Sequence, residues 1–182
     1  DSLGNEDTIG DGEVQWMTAG SGIMHEEKLP TAERLLGVQL WLNLPAKDKL
    51  APPAYRSIKN SEIEEIEFDW GKLRLLAGEF EGRKGYMSKY LPLDYYDLHL
   101  KPNASVVLNT ESERAVMVFT LLGDAYIGGD LVKEKTAVRL TPGDYVDIKA
   151  TDKKAQVLFI SSISLNEPIS WGGPIVMNTK EE

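Results

Sequence analysis

Short runs in which apolar and polar residues alternate, or in which β-branched and aromatic residues cluster, follow one another along most of the chain. Runs of this kind predict β-strands. They lie at 63–68, 73–77, 95–100, 105–108, 115–122, 137–140, 145–148 and 155–163, and turns separate them at Gly71, Gly78, Pro102-Asn103, Gly123-Asp124, Gly128-Gly129 and Pro142-Gly143-Asp144. The best helix candidate, 61–66, is short and fits a strand equally well. The pattern therefore predicts an all-β fold, a sandwich or barrel of short strands.

A change in composition divides the chain into parts. Residues 46–53 combine charged residues with Pro52-Pro53, and such a segment cannot form a regular element. We interpret it as a linker or loop. A Gly-rich region, 1–45, precedes it, a longer β-rich region, 54–165, follows it, and the end of the chain, 166–182, is irregular.

Composition and charge exclude several classes of protein. The 182 residues are 42% hydrophobic and 27% charged, which is typical of a soluble globular chain. There is no cysteine, so disulfides and cysteine metal sites are excluded, and any metal needs nitrogen and oxygen ligands. The net charge of −9 argues against direct binding to nucleic acid. No apolar run approaches the roughly 20 residues that cross a bilayer, and no signal peptide is visible, so we expect no membrane contact and a cytoplasmic location.

The candidate chemistry lies around the first of two histidines. On an extended strand His25 and Glu27 would point to one face, where an imidazole and a carboxylate form half of a site for an iron-like divalent metal. Gly20 and Gly22 would permit a tight turn just before them. A solvated face or a hydrogen-bonded pair explains the same two residues. His99 alternates with leucines, which indicates a solvent-facing or hydrogen-bonded strand histidine.

Three segments, in the same order, resemble the pirin family. The first follows the pattern Gly-x-x-Gln-Trp-Met-Thr-Ala-Gly-x-Gly-x-x-His-x-Glu, with matches at Gly12, Gln15, Trp16, Met17, Thr18, Ala19, Gly20, Gly22, His25 and Glu27. The second is Gln39-Leu40-Trp41-Leu42-Asn43-Leu44-Pro45. The third joins Glu167-Pro168-Ile169 to Gly173-Pro174-Ile175-Val176-Met177-Asn178-Thr179. The resemblance spans almost the whole chain.

The resemblance implies a cupin fold of two antiparallel, jelly-roll-like β-barrels, the first incomplete here. Residues 1–45 would be the C-terminal part of the first, metal-binding barrel. Residues 54–165 would be a complete second barrel without metal, and 166–182 would pack back on the first. The family's metal is usually iron, held by three histidines and one glutamate. His25 and Glu27 match the last two ligands, and the upstream His-x-His motif does not occur in this sequence. We expect Fe(II), or no metal if two ligands are too few. A second copy in a homo-oligomer, or further chain of a longer protein, would cover the open barrel edge.

The functions that the resemblance implies belong to different classes. One is a quercetin 2,3-dioxygenase-like oxygenase for a flavonol-like small molecule. In that enzyme Glu27 would also act as catalytic base, and Trp16, Met17, Gly20 and Gly22 would shape the substrate pocket. Core packing is the simpler interpretation of Trp16 and Met17. The alternatives are a non-enzymatic redox-sensing regulator that binds transcription factors or metabolic enzymes, and a metal-free truncated relic.

Overall fold

Antiparallel strands make up nearly all the regular structure of the computed structural model, which describes residues 1–182. The helical segments are two 3₁₀ turns, Ala46–Asp48 and Asn60–Glu62. The all-β prediction is confirmed, and the candidate helix at 61–66 is a 3₁₀ turn that leads into a strand. No helix combines the length and the apolar character needed to span a membrane.

Sixteen strands follow one another along the chain. In order they are β1 (Val14–Thr18), β2 (Ala54–Ile58), β3 (Glu64–Phe68), β4 (Gly71–Ala77), β5 (Glu79–Phe80), β6 (Arg83–Lys84), β7 (Leu93–Leu100), β8 (Ser105–Asn109), β9 (Arg114–Leu122), β10 (Ala125–Ile127), β11 (Asp130–Val132), β12 (Ala137–Arg139), β13 (Tyr145–Ala150), β14 (Ala155–Ile163), β15 (Ser170–Gly172) and β16 (Ile175–Met177). Each of the eight predicted runs corresponds to a strand, namely β3, β4, β7, β8, β9, β12, β13 and β14.

The chain divides into two compact units. The first consists of Asp1–Ile58 with Leu165–Glu182, and the second of Lys59–Ser164. Residues 54–58, which the sequence pattern groups with the second barrel, pair as β2 with β1 in the first unit. The strands of the first unit form two separate two-stranded ribbons, β1–β2 and β15–β16.

The second unit contains a six-stranded sheet and a four-stranded sheet. The six strands run in the order β12-β9-β14-β7-β4-β3, and the four in the order β11-β10-β13-β8. Side chains from both sheets form one apolar core, which includes Leu73, Leu98 and Phe159 from the larger sheet and Leu108 and Ile148 from the smaller. Burial of these side chains against one another is the main stabilising term of the unit.

The two sheets differ in how their faces are buried. In β8 every second residue is buried, so the smaller sheet has one face in the core and one in solvent. In β4 and β14 nearly every residue is buried, so side chains on both faces of the larger sheet are withdrawn from water. Charged residues of the larger sheet consequently need partners within the protein.

Three side-chain contacts hold the end of the chain within the first unit. The Ala46 backbone N–H donates to Glu167 Oε2 at 2.8 Å, and Lys49 Nζ donates to Asn178 Oδ1 at 2.9 Å. Lys49 also forms an ion pair with Glu182. The segment 46–49 is therefore tied to residues more than 100 positions further along the chain.

Candidate functional site

The segment that carries His25 and Glu27 is not a strand. β1 ends at Thr18, opposite Ala54 of β2, and residues 19–45 contain no strand or helix. The expectation that the two side chains share one face of a strand is therefore not met. Backbone groups in a strand need a neighbouring strand, and β2 has no residue to pair with the chain beyond Thr18.

A glycine turn ends β1, as the sequence predicts. Gly20 has a φ of 53°, and a Cβ built there would lie 2.0 Å from the Ala51 carbonyl oxygen. The same oxygen accepts a hydrogen bond from the Ser21 N–H at 2.9 Å, and the Gly22 N–H donates to the Ala19 carbonyl at 2.9 Å. The turn thus needs both a left-handed backbone and the absence of a side chain.

His25 and Glu27 are exposed, and neither side chain forms a hydrogen bond or an ion pair. His25 borders a shallow hollow of about 310 Å³ that is also lined by Asp1, Ser2, Met24 and Glu26. The Ser2 N–H donates to the Met24 carbonyl at 2.8 Å, and the Met24 N–H donates to Ser2 Oγ at 3.1 Å. These two bonds fix the backbone next to His25.

The residues of this chain do not complete a metal site by themselves. Imidazole and carboxylate are suitable donors for a divalent transition metal. Nowhere in the structure, however, do three or more His, Asp or Glu side chains lie close enough together to hold a metal ion. His25 and Glu27 are donors of a suitable type for such a metal, but two donors are too few to form a site.

Trp16 and Met17 are both half-buried on β1. They are consecutive strand residues, so their side chains point to opposite faces of the β1–β2 ribbon. Trp16 lies opposite Arg56 and Met17 opposite Tyr55. The two side chains therefore lie on different faces of the ribbon, and their part in a substrate pocket stays a prediction.

A buried ion-pair network occupies one face of the larger sheet in the second unit. Asp97, on β7, accepts hydrogen bonds from Arg74 Nη1 at 3.3 Å and from Gln156 Nε2 at 2.9 Å, and it is hydrogen bonded to His99 Nε2 at 3.0 Å. Side-chain exposure is 10% for Arg74 and 6% for Asp97. Of the two situations predicted for His99, solvent-facing or hydrogen-bonded, the structure shows the hydrogen bond.

Partners from β3 and the preceding turn complete the network around Arg74. Its Nε donates to Glu65 Oε1 at 2.9 Å, and its Nη2 donates to Asn60 Oδ1 at 2.8 Å. Burial alone raises the pKa of Asp97, but the hydrogen bonds from His99 and Gln156 and the charge of Arg74 outweigh it. The pKa of Asp97 consequently lies below its ordinary value, and the carboxylate stays charged at neutral pH.

Sequence reasoning missed this network and a polar cavity around Arg114. Arg74 and Asp97 both stand between apolar residues in alternating runs, a pattern that normally indicates a solvent-facing side chain. One feature of the sequence could have indicated that both faces of this sheet are buried. The runs that contain Leu75-Leu76 and Phe159-Ile160 have adjacent apolar residues, which is typical of strands buried on both faces.

Family models match both ends of the chain. Residues 1–42 match the model described as Pirin, and residues 95–182 match the model described as Pirin C-terminal cupin domain. A Thermoplasma acidophilum protein named "Putative quercetin 2,3-dioxygenase" is 35% identical over 208 residues, with 100% of this chain and 78% of that protein covered. Human pirin is 35% identical over 188 residues, with 100% of this chain and 64% of human pirin covered.

The fold is also similar to solved structures. A crystal structure of quercetin 2,3-dioxygenase from Acinetobacter baumannii matches with a TM-score of 0.84 and 29% sequence identity. The match covers 100% of this chain and 66% of that one. The predicted cupin architecture is confirmed by this likeness. The chain spans less than two thirds of human pirin and about two thirds of the Acinetobacter enzyme.

Proposed function

Because the chain belongs to the pirin family of cupin proteins, we propose that it acts as a metal-dependent oxygenase on a flavonol-like small molecule. In this proposal His25 and Glu27 supply two of the metal ligands, and other donors fill the remaining positions. Fe(II) is the proposed metal, since imidazole and carboxylate together suit it. The names of the Thermoplasma and Acinetobacter relatives support the substrate class.

One observation carries the proposal. His25 and Glu27 lie in the segment that matches the Pirin model, and both side chains are exposed and free of hydrogen bonds and ion pairs. Polar side chains without a structural role are available for a ligand. Glu27, as an unpaired carboxylate, is also the group that we propose accepts the proton of a substrate hydroxyl.

Metal binding by matched variants tests the ligand assignment. The chain is loaded with Fe(II) without oxygen, bound iron is measured, and quercetin is then followed by its absorbance in air. We expect His25→Ala and Glu27→Gln to lower iron affinity by about tenfold or more and to reduce flavonol turnover in parallel. Glu26→Gln is the control, because Glu26 is also exposed and its side chain is paired with Lys28 at 3.6 Å. Equal iron binding by the wild type and His25→Ala would refute the assignment.

A protein-binding role is the second candidate, favoured by a pair of exposed tryptophans in the first unit. Trp41 is 55% exposed and Trp171 is 74% exposed, and their rings are 6.2 Å apart at 59°. Trp171 Nε1 donates to the Gly173 carbonyl at 2.7 Å, which holds the ring in place on the β15–β16 hairpin. Positioned, exposed tryptophan is typical of interface anchors.

Self-association is the form of this role that can be measured on the chain alone. Sedimentation equilibrium should show a concentration-dependent oligomer that Trp171→Ala weakens by about tenfold or more. The control is Tyr145→Ala, since Tyr145 is 66% exposed and lies in the second unit. A monomer at every concentration would refute self-association through this tryptophan pair. An equal weakening of the oligomer by Trp171→Ala and Tyr145→Ala would also refute it.

A further inference from the structure

The second unit contains a polar cavity that has no part in the proposed metal chemistry. It measures about 280 Å³ and lies at one end of the core, where β7, β9 and β14 meet the turn after β8. Its lining includes Asp94, Tyr96, Thr110, Arg114 and Ser161. Drug-sized ligands occupy pockets that start near about 300 Å³, so this cavity has room for one small ring.

Aromatic side chains form the rigid base of the cavity. Tyr96 and Phe159 lie nearly parallel, with ring centroids 5.3 Å apart at 16°, and Phe80 meets Tyr96 edge-on at 5.5 Å. The Tyr96 hydroxyl donates to the Glu79 carbonyl at 2.6 Å. Because these rings are braced by one another and by a hydrogen bond, the small part of Tyr96 and Phe159 that borders the cavity is rigid; they are only 6% and 2% exposed.

Arg114 forms a fixed polar wall beside the aromatic base. Its Nε donates to Ser161 Oγ at 3.0 Å, and its Nη2 pairs with Asp94. A guanidinium has five N–H donors, and the structure uses two of those of Arg114. The remaining donors, including both on Nη1, are held in a defined orientation and are available to an acceptor in the cavity.

Thr110 supplies the observation that points most directly to a ligand. Its Oγ1 is buried and has no hydrogen-bond partner, although buried hydroxyls in folded proteins are normally paired. Its backbone N–H donates to the Asp144 carbonyl at 2.8 Å, so the residue is anchored. The side chains of Asn109 and Glu111, on either side, also make no hydrogen bond. Asn109 and Glu111 are exposed to solvent, so the buried Thr110 hydroxyl is the group whose missing partner a ligand would supply.

Charge and hydrogen-bond type define the ligand class. The lining carries three carboxylates, of Glu79, Asp94 and Glu111, against one guanidinium, which Asp94 already neutralises. An anion would be repelled. Lys84 lies 3.9 Å from Glu79, so one of the carboxylates is already countered. Free donors and acceptors beside a rigid aromatic base match a neutral molecule with several hydroxyl groups.

We infer that this cavity is a binding site for a small neutral polyhydroxylated molecule of monosaccharide size. The ligand lies against the aromatic base and bonds to the Arg114 guanidinium and to the Thr110 and Ser161 hydroxyls. It is independent of His25 and Glu27, which belong to the other unit. Removing the metal ligands therefore leaves this site unchanged.

Titration of the isotope-labelled full chain, followed by NMR, tests the inference. The probes are D-glucose, D-ribose and myo-inositol, with acetate and methylammonium as charged controls. At least one polyol should shift the amides of Thr110, Glu111 and Ser161 saturably, with a dissociation constant on the order of 1 mM. Thr110→Val and Ser161→Ala should each weaken binding by about tenfold, the effect of one lost hydrogen bond.

Three controls separate the site from its alternatives. Thr141→Val changes an exposed threonine of the same unit and should leave the dissociation constant unchanged. Glu111→Gln keeps a hydrogen-bond acceptor and should alter polyol binding less than about twofold, whereas it would weaken the binding of a cation. His25→Ala should have no effect. Absence of saturable polyol shifts, saturation by acetate or methylammonium instead, or undiminished binding by both Thr110→Val and Ser161→Ala would overturn the inference.

Discussion

Removal of the Asp97 carboxylate should destabilise the second unit through the charge that it leaves behind. Arg74, Gln156 and His99 all lose a hydrogen-bond partner in Asp97→Ala. Breaking a buried ion pair costs about 3–5 kcal/mol. The lower end applies here, because Arg74 keeps its bonds to Glu65 and Asn60. We therefore expect the free energy of unfolding to fall by about 3 kcal/mol.

The matched control is Glu64→Ala. Glu64 pairs with Arg83 on the surface of the same unit, where the two side chains are 42% and 49% exposed. Exposed pairs contribute about 0–1 kcal/mol, so this variant should lose less than about 1 kcal/mol. Urea unfolding followed by the NMR intensities of β7 and β14 amides reports on the second unit alone. If Asp97→Ala loses no more stability than Glu64→Ala, the network does not have the burial described.

The pH dependence of the same comparison follows from the lowered pKa of Asp97. A carboxyl group whose pKa is lower when folded stabilises the protein above its unfolded pKa, about 3.9, and loses that contribution as the pH falls through the folded value. Wild type and Asp97→Ala should therefore differ most near neutral pH and converge in acid. A stability difference that widens below about pH 4 would contradict the direction of the shift.

Three other variants test separate parts of the structure. Gly20→Val should destabilise the turn after β1 by at least about 2 kcal/mol, and should speed hydrogen exchange at the Ser21 amide, since the new side chain would meet the Ala51 carbonyl. Gly37→Val is the control, because a side chain at Gly37 would meet no other atom, and it should change neither stability nor exchange. Equal exchange of the Ser21 amide in the two variants would refute the strain argument. His25→Ala should lose bound metal while the urea midpoint of second-unit amides stays constant; a lower midpoint would mean that the residue is structural. Burial raises the pKa of Tyr95 to about 12. Tyr95→Phe should therefore remove a phenolate absorbance step near that pH, and loss of a step near 10 instead would contradict the burial.

The strands of the second unit could be predicted because the pattern and the packing agree there. In β13 the alternation of Val146 and Ile148 with Asp147 and Lys149 reappears as alternation between core and solvent. In β8 Val106 and Leu108 are buried as a strand period requires, although Val107 between them is apolar and exposed. The short strands β5 and β10, of two and three residues, show no period in the sequence. Their existence depends on partners that sequence spacing does not reveal.

The site was harder to predict for a related reason. Spacing shows which side chains would share a face if a strand formed, but not whether a neighbouring strand exists to form it. His25 and Glu27 have the right spacing, but β2 begins at Ala54, opposite Thr18, and has no residue that could pair with them. The turn at Gly20 was predictable, because glycine permits the left-handed backbone that the turn adopts, whereas the close approach of the Ala51 carbonyl depends on the fold.

The two polar clusters of the second unit lie on opposite faces of one strand. Along β7, Asp94 and Tyr96 face the cavity and the core, whereas Asp97 and His99 face the other way. On the outer face the charges of Asp97 and Arg74 are paired within the unit, as expected of a stabilising network. On the inner face Thr110 and part of Arg114 are left without partners at the edge of an otherwise complete apolar core. The paired charges on the outer face need no further partner, whereas the unpaired groups on the inner face border a cavity of about 280 Å³ that can hold a ligand.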